Sequence, residues 1–401
     1  MSHKKDSAAN LLLIAGIVAA IHVGKLPPAL PTLSQTMSLS LVQSGFLLSL
    51  VQMAGMCLGL IIGMITENFG LRRSILMGLT VLGLSSILGS LAESANQLFF
   101  LRALEGLGFL FVTVPVPSLI RRLVSKENQT IKIGLWGAYM GVGSAIALII
   151  GSWAITALGW RSWWVILGLT NFVIVSVIYF TIPNDKHIPT VETLASKYIE
   201  DTHWLKRILV IIRTPGATLA ALAFAMYSGQ WLAVVGFLPS IYMDSGLSMT
   251  MGSFLTAIVA LANAVGATMA GRLLNWKISP RKILYLGFIV MGIGSLITFA
   301  GSNLFPPSIR YISIILFSGV GGLIPSTLFA MAVHFAPDMK SSSASVGWVM
   351  QWSAIGQFSG PPLLGFLASQ MGSWNYSWWI TSTASIVGLF LSYFLCREFN
   401  K

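Results

Sequence analysis

Charge is what this sequence has least of. Only 9% of its 401 residues are Asp, Glu, Lys or Arg, where a soluble domain carries about 25%. Acids are the scarcer sign, 12 against 24 Lys and Arg. With 55% hydrophobic residues and a mean hydropathy of +0.80, such a chain could not maintain a water-facing surface. A soluble enzyme, a nucleic-acid-binding protein and a disordered chain are thereby excluded. Cysteine is nearly absent: Cys57 and Cys396 both lie in or beside apolar runs, which excludes a disulfide framework. No glycine-rich loop ends in Lys-Ser or Lys-Thr, so ATP hydrolysis is not expected. No His and Cys spacing suggests a metal site, and no nucleophile–base pairing suggests a hydrolase. Neither catalytic residues nor a cofactor are expected. No cleavable leader is expected. The apolar stretch after Lys4 and Lys5 runs too long and lacks a small-residue cleavage site, so it reads as a retained span.

What the chain does have is long apolar runs. They fall at roughly 11–35, 41–66, 74–92, 97–120, 131–158, 162–181, 215–242, 250–275, 282–301, 310–335, 343–369 and 375–396. Each suffices for one crossing at about 20 residues. Runs of this length satisfy their own backbone hydrogen bonds as helices, and the alternating polarity of a membrane barrel is absent. The expectation is an all-α membrane protein with 12 transmembrane helices. With both termini cytoplasmic, only Arg161 and Arg310 fall outside and Lys25 and Arg102 fall within spans. The other 20 of the 24 Lys and Arg are cytoplasmic, the bias expected of a multi-pass protein of the cytoplasmic (inner) membrane. The one long hydrophilic stretch divides the chain into a six-helix bundle at 1–182, a cytoplasmic central loop at 183–213 and a second bundle at 214–401. Within the loop, 193–207 reads either as an amphipathic surface helix or as a plain linker.

The halves repeat. Pro31 and Gly63 match Pro239 and Gly271 at an offset of 208, Arg72-Arg73 match Arg281-Lys282 at 209, Gly106 and Gly143 match Gly319 and Gly356 at 213, and Gly151, Trp160 and Trp164 match Gly365, Trp374 and Trp378 at 214. A slowly growing offset kept across whole halves implies two pseudo-symmetric six-helix bundles, an arrangement that secondary transporters use to build two gates around a midplane site.

Between the second and third runs lies Gly63-Met-Ile-Thr-Glu67-Asn-Phe-Gly70-Leu-Arg72-Arg73. This resembles the loop signature of the major facilitator superfamily, with Glu67 in place of the usual aspartate and Asn68 where a basic residue normally follows. Arg102-Ala-Leu-Glu105-Gly106-Leu-Gly108 resembles the superfamily's fourth-helix signature. The resemblance covers the whole chain. It implies the two-bundle fold, transport by alternating access, and a cytoplasmic gating loop of Gly63, Glu67, Gly70, Arg72 and Arg73 that latches the outward-open state. The glycine–proline pair diagnostic of antiporters is missing from the fifth run, between Gly143 and Gly151-Ser152. The latch's counterpart, Gly271-Arg272-Leu-Leu-Asn275 with Arg281-Lys282, has lost its acid.

The candidate site rests on charges inside spans. Burying one at the bilayer centre costs about 2.5–3.5 kcal/mol on insertion scales, so such residues face a cavity or one another. His22 and Lys25 are three apart, as are Arg102 and Glu105, so each pair shares a helix face. Glu105, the one acid well inside a span, reads either as the neutralising partner of Arg102 or as a proton acceptor, with Arg102, in proton coupling. Lys25 reads as a substrate or counter-ion contact, and His22 as a titrating or a packing residue. By the repeat, His22, Lys25, Arg102 and Glu105 map to Gln230, Ala233, Ile315 and Ser318, all uncharged. The second half would then offer neutral hydrogen bonds from Gln230, Asn263 and Gln351, and aromatics such as Trp231. A positively biased cavity predicts a small anionic or zwitterionic organic solute as partner, with the proton and the lipid bilayer, in a monomer. Proton-driven export of a drug or a metabolite such as a siderophore is the alternative reading, and a transporter-like receptor the second alternative.

Overall fold

The computed structural model describes residues 2–124, 132–187, 204–335 and 341–399. Among these the chain is helical almost throughout, and ten helices are long and apolar enough to cross a membrane. The first four are α1 (Ser7–Thr36), α2 (Leu41–Gly63), α3 (Leu71–Ser90) and α4 (Ala95–Leu123). The fifth, Tyr139–Thr181, is 43 residues long and breaks at Gly159, where φ is 81° and ψ is 158°. At about 1.5 Å per residue it contains two spans, α5 (139–158) and α6 (160–181). The others are α7 (Pro215–Asp244), α8 (Met249–Asn275), α9 (Pro280–Thr298), α10 (Pro307–Ala332) and α12 (Trp374–Phe399). Outside those ten stands α11 (Ser341–Met371), 31 residues long with Gln351 and Gln357 inside it. The twelve expected spans are thus present. Of the expected surface helix at 193–207, most lies outside the described residues; a helix at Trp204–Arg213 leads into α7.

Local chemistry sets the helix ends. A capping box of Ser40 and Gln43 starts α2, and Ser94 and Ser248 cap α4 and α8. Each supplies an oxygen to a backbone N–H that the first turn leaves unpaired. Proline opens α7, α9 and α10, where its missing N–H costs nothing. Inside spans proline acts unevenly. α1 is interrupted at Lys25, just before Pro27 and Pro28, and α4 at Val114, just before Pro115. In contrast, Pro239, Pro361 and Pro362 sit within unbroken α7 and α11.

Packing follows the repeat. In the first half α3 packs on α4, α2 on α4, α1 on α5 and α3 on α6; in the second, α9 packs on α10, α8 on α10, α7 on α11 and α9 on α12. Gly143 faces the Ile17 carbonyl of α1, and its counterpart Gly356 faces the Ala225 carbonyl of α7. An added Cβ would lie 2.8 Å and 2.2 Å from those oxygens. Both bundles therefore use the same small residue at the same crossing, as close helix approach in lipid requires. Across the bundles α2 packs on α11 and α5 on α8, again a symmetric pair.

Candidate functional site: a buried charge cluster in the first bundle

The irregularity in α1 creates the site. Pro27 lacks the N–H that would satisfy the carbonyl of Val23, and no water is at hand in a bilayer to do so. The guanidinium of Arg102, on α4, takes that place. Its Nη2 donates to Val23 O at 3.4 Å, Nη1 to His22 O at 2.5 Å and Nε to Leu47 O at 3.4 Å. Leu47 itself lies just before a 3-10 turn in α2, at Leu50–Gln52. One side chain of α4 thus reaches α1 at the break in its ladder and α2 just before its 3-10 turn.

Glu105 sits one turn along α4 and holds one cation on each oxygen. Oε2 accepts from Arg102 Nη1 at 2.7 Å, and Oε1 forms an ion pair with Lys25. The Lys25 ammonium also donates to Ser86 Oγ of α3 at 3.0 Å and lies 3.5 Å from His22 Nδ1. It stands 4.4 Å from the ring centroid of Trp164 on α6, a cation–π geometry. Ser86 in turn donates to the Trp164 carbonyl at 2.8 Å, and His22 Nε2 lies 2.6 Å from Asn171 Nδ2. Lys25 and His22 are fully buried, and Arg102 and Glu105 are 2% exposed. The four charged candidates therefore form one cluster inside the first bundle, enclosed by α1, α3, α4 and α6. With the imidazole neutral, two cations face one anion. The narrow space beside Arg102 and Glu105 is walled by first-bundle residues, among them Leu26, Leu47, Leu98, Ser85 and Trp164.

The second bundle repeats this plan without charge. Gln230, the counterpart of His22, accepts from Ser385 Oγ of α12 at 3.0 Å, as His22 meets Asn171 of α6; Asn171 and Ser385 are themselves 214 residues apart. Trp231 Nε1 donates to Ser318 Oγ at 2.9 Å, and Asn263 Nδ2 donates to Ser318 O and Tyr227 Oη at 2.9 and 2.8 Å. Ser318, at the position matching Glu105, is thus the hub of the neutral network. Gln351 stands apart from these residues. Its Nε2 donates to Met56 O at 2.9 Å, and its Oε1 accepts from Leu60 N at 3.2 Å, both in the backbone of α2.

At the gating loop, Gly63 lies in α2, and Gly70, with φ 107°, ends the helix that continues α2 and starts α3. Asp185, just beyond α6, accepts from the backbone N–H groups of Arg72 at 2.9 Å and Arg73 at 3.1 Å, capping α3. The Arg72 guanidinium donates to Tyr179 O at 2.6 Å and stacks on that ring. The backbone of Glu67 is helical; its side chain lies outside the described residues.

Sequence reasoning did not single out Asn171, Ser86 or Asp185. Asn171 carried a usable signal, a carboxamide in the middle of an apolar run; Ser86 and Asp185 carried none.

Two six-helix bundles of matching topology, paired through α2–α11 and α5–α8, define a multi-pass membrane protein of the two-bundle carrier class. The model of the Major Facilitator Superfamily matches residues 12–350 and 221–401, and the chain belongs to that superfamily. It is 21% identical to the cyanate transport protein CynX of Escherichia coli over 92% of this chain and 91% of that protein. It is 23% identical to the probable nitrate transporter NarT of Staphylococcus epidermidis (95% and 93% covered) and 22% identical to the benzoate transport protein of Acinetobacter baylyi (90% and 83%). Among solved structures, a bacterial homolog of the human lysosomal transporter Spinster, in an inward-facing and unoccupied conformation, superimposes with a TM-score of 0.77 at 14% identity, covering 99% of this chain and 98% of that one.

Proposed function

We propose that this protein is a secondary active transporter that moves a small anionic or zwitterionic organic solute across the cytoplasmic membrane by alternating access, coupled to protons. The observation that carries this reading is the sealed excess of positive charge, Lys25 and Arg102 against Glu105 alone. A single carboxylate holds both cations. Protonating it frees them together and leaves a site whose best remaining partner is an anion, so proton and substrate anion enter as a pair. His22, Lys25 and Arg102 form the charged part of the substrate site, with Glu105 as proton acceptor. Gln230, Trp231 and Asn263, which form the matching uncharged network of the second bundle, are assigned to the substrate path as its neutral part. Relatives named for cyanate, nitrate, benzoate and gallate support an anionic substrate. The basic residues favour cytoplasmic termini, with bundles at 1–182 and 214–401 joined by a cytoplasmic loop at 183–213.

The test is counterflow in proteoliposomes. Preloaded unlabelled cyanate, nitrate or benzoate should drive transient accumulation of the labelled anion, and an imposed inward proton gradient should raise net uptake. No exchange of any monovalent anion under either condition would overturn the reading.

A further inference from the structure

The two bundles meet along α2 and α11, which run antiparallel. Gly45 faces Pro361 near one end, Gly55 faces Ala354, and Gly59 faces Gln351 toward the end that carries the Gly63–Arg73 loop. At Gly59 the carboxamide of Gln351 lies across one rung of the α2 ladder. Its two partners, Met56 O and Leu60 N, are the C=O(i−4) and N–H(i) that an α-helix joins to each other. Gly59 admits it: an added Cβ there would lie 3.2 Å from Gln351 Cβ and 3.4 Å from its Cα.

We propose that Gln351 is a positioning residue of the transport cycle, an amide clip that holds α11 on α2 at this end and lets go of that rung when the bundles part. The proposal rests on the alternating-access reading. Its physical basis is what happens on release. Within a bilayer an unpartnered backbone group costs several kcal/mol, so a side chain gripping isolated backbone groups would leave an orphan each time it let go. Here the two gripped groups are the ends of one rung of a continuous helix, Met53–Phe69, so they serve as each other's partners once the amide leaves. Only the Gln351 amide needs a new partner, and the parting of the helices admits water at that end. The clip therefore opens without stranding any backbone group. Gln52 Nε2, on the same helix pair, donates to Gln357 Oε1 at 3.1 Å. That contact joins two side chains and has no such self-satisfied released state, so this release belongs to Gln351.

The test measures distance rather than flux. Spin labels at Ile61 and Val346, in full-length protein carrying Cys57→Ser and Cys396→Ser and reconstituted in nanodiscs, report the separation of α2 and α11 at this end. Gln351→Leu keeps the packing and removes both hydrogen bonds. The ratio of parted to closed protein should rise roughly tenfold, as expected for losing two net hydrogen bonds. Gln351→Glu, which keeps an acceptor for Leu60 N–H and loses the donor to Met56 O, should fall between. Gly59→Ala leaves Gln351 in place but pushes it back by a few tenths of an ångström and should shift the ratio in the same direction by less, which guards against poor folding of either Gln351 variant. Three outcomes overturn the proposal: Gln351→Leu with the parental distance distribution, a single closed distance in the parent and every variant, or an unchanged distribution with a raised KM, which would make Gln351 a substrate contact. The distances need no substrate, so a failed counterflow assay with shifted distances would sink the transport reading and leave the clip standing.

Discussion

Lys25 of α1 and Glu105 of α4 form an ion pair across 80 residues of sequence, where the repeat places Ala233 and Ser318 in the other half. Each partner is surrounded by protein, and Glu105 also carries Arg102. Removing one member therefore does not simply delete a contact; it strands charge in a place that cannot hydrate it.

Glu105→Ala should destabilise the protein by about 3–5 kcal/mol, the cost of breaking a buried pair from one side. Lys25→Met with Glu105→Gln should recover part of that loss, because Arg102 then remains the single buried charge. Thermal melting in detergent compares the three. A Glu105→Ala melting temperature equal to that of the parent would show that the cluster is hydrated in the membrane.

Lys25→Ala should lower anion counterflow by at least about tenfold, the effect of one charge-assisted hydrogen bond worth roughly 1.5–3 kcal/mol. Glu105→Gln should keep exchange and lose the stimulation by an inward proton gradient. Parental flux with intact stimulation in Glu105→Gln would remove Glu105 as the proton carrier.

Asp185→Ala should cost about 1 kcal/mol, a typical helix N-cap. Gly70→Ala should cost more, because φ at Gly70 is 107° and an added Cβ would lie 2.5 Å from Asp185 Oδ2. Combining the two should cost less than their sum, since removing the carboxylate relieves the clash and leaves only the backbone strain. Melting curves of the two single variants and the double variant check this; strict additivity would mean that Asp185 does not seat on α3 in the membrane.

Gly159→Ala should destabilise by about 1–3 kcal/mol, because φ 81° with ψ 158° is a region almost reserved for glycine. The loss should appear in melting temperature and in yield. An unchanged melting temperature would mean that the link between α5 and α6 can adopt an ordinary backbone.

Much of the fold was legible because each level of the sequence agreed with the next. The twelve apolar runs became twelve spans, and the repeat reappeared as matching helix pairs, down to Gly143 and Gly356 at equivalent crossings. The site was legible in its members and not in its assembly. Arg102 and Glu105 could be paired from their spacing along one helix. The Lys25–Glu105 contact could not, because α1 is apolar on nearly every side and its pattern does not say which face meets α4. Asn171 carried a usable signal as a carboxamide in the middle of an apolar run, but its contact with His22 was hidden for the same reason. Gln351 was expected among the substrate contacts; that its amide grips the backbone of α2 is something no side-chain pattern encodes. Pro27 offered a clue that periodicity overlooks: a carbonyl left bare in a membrane needs a donor, and Arg102 supplies one.

The junction at Gly159 also has a mechanical meaning. A single residue joins α5 to α6, so the connection has no slack. α5 bears on α8 of the opposite bundle, and α6 carries the amide that touches the imidazole of His22. Under the alternating-access proposal, a tilt of one bundle against the other would be delivered to the charged cluster as if by a crank with no loose joint. Lengthening that junction, rather than altering any charged residue, would be the way to uncouple motion from chemistry.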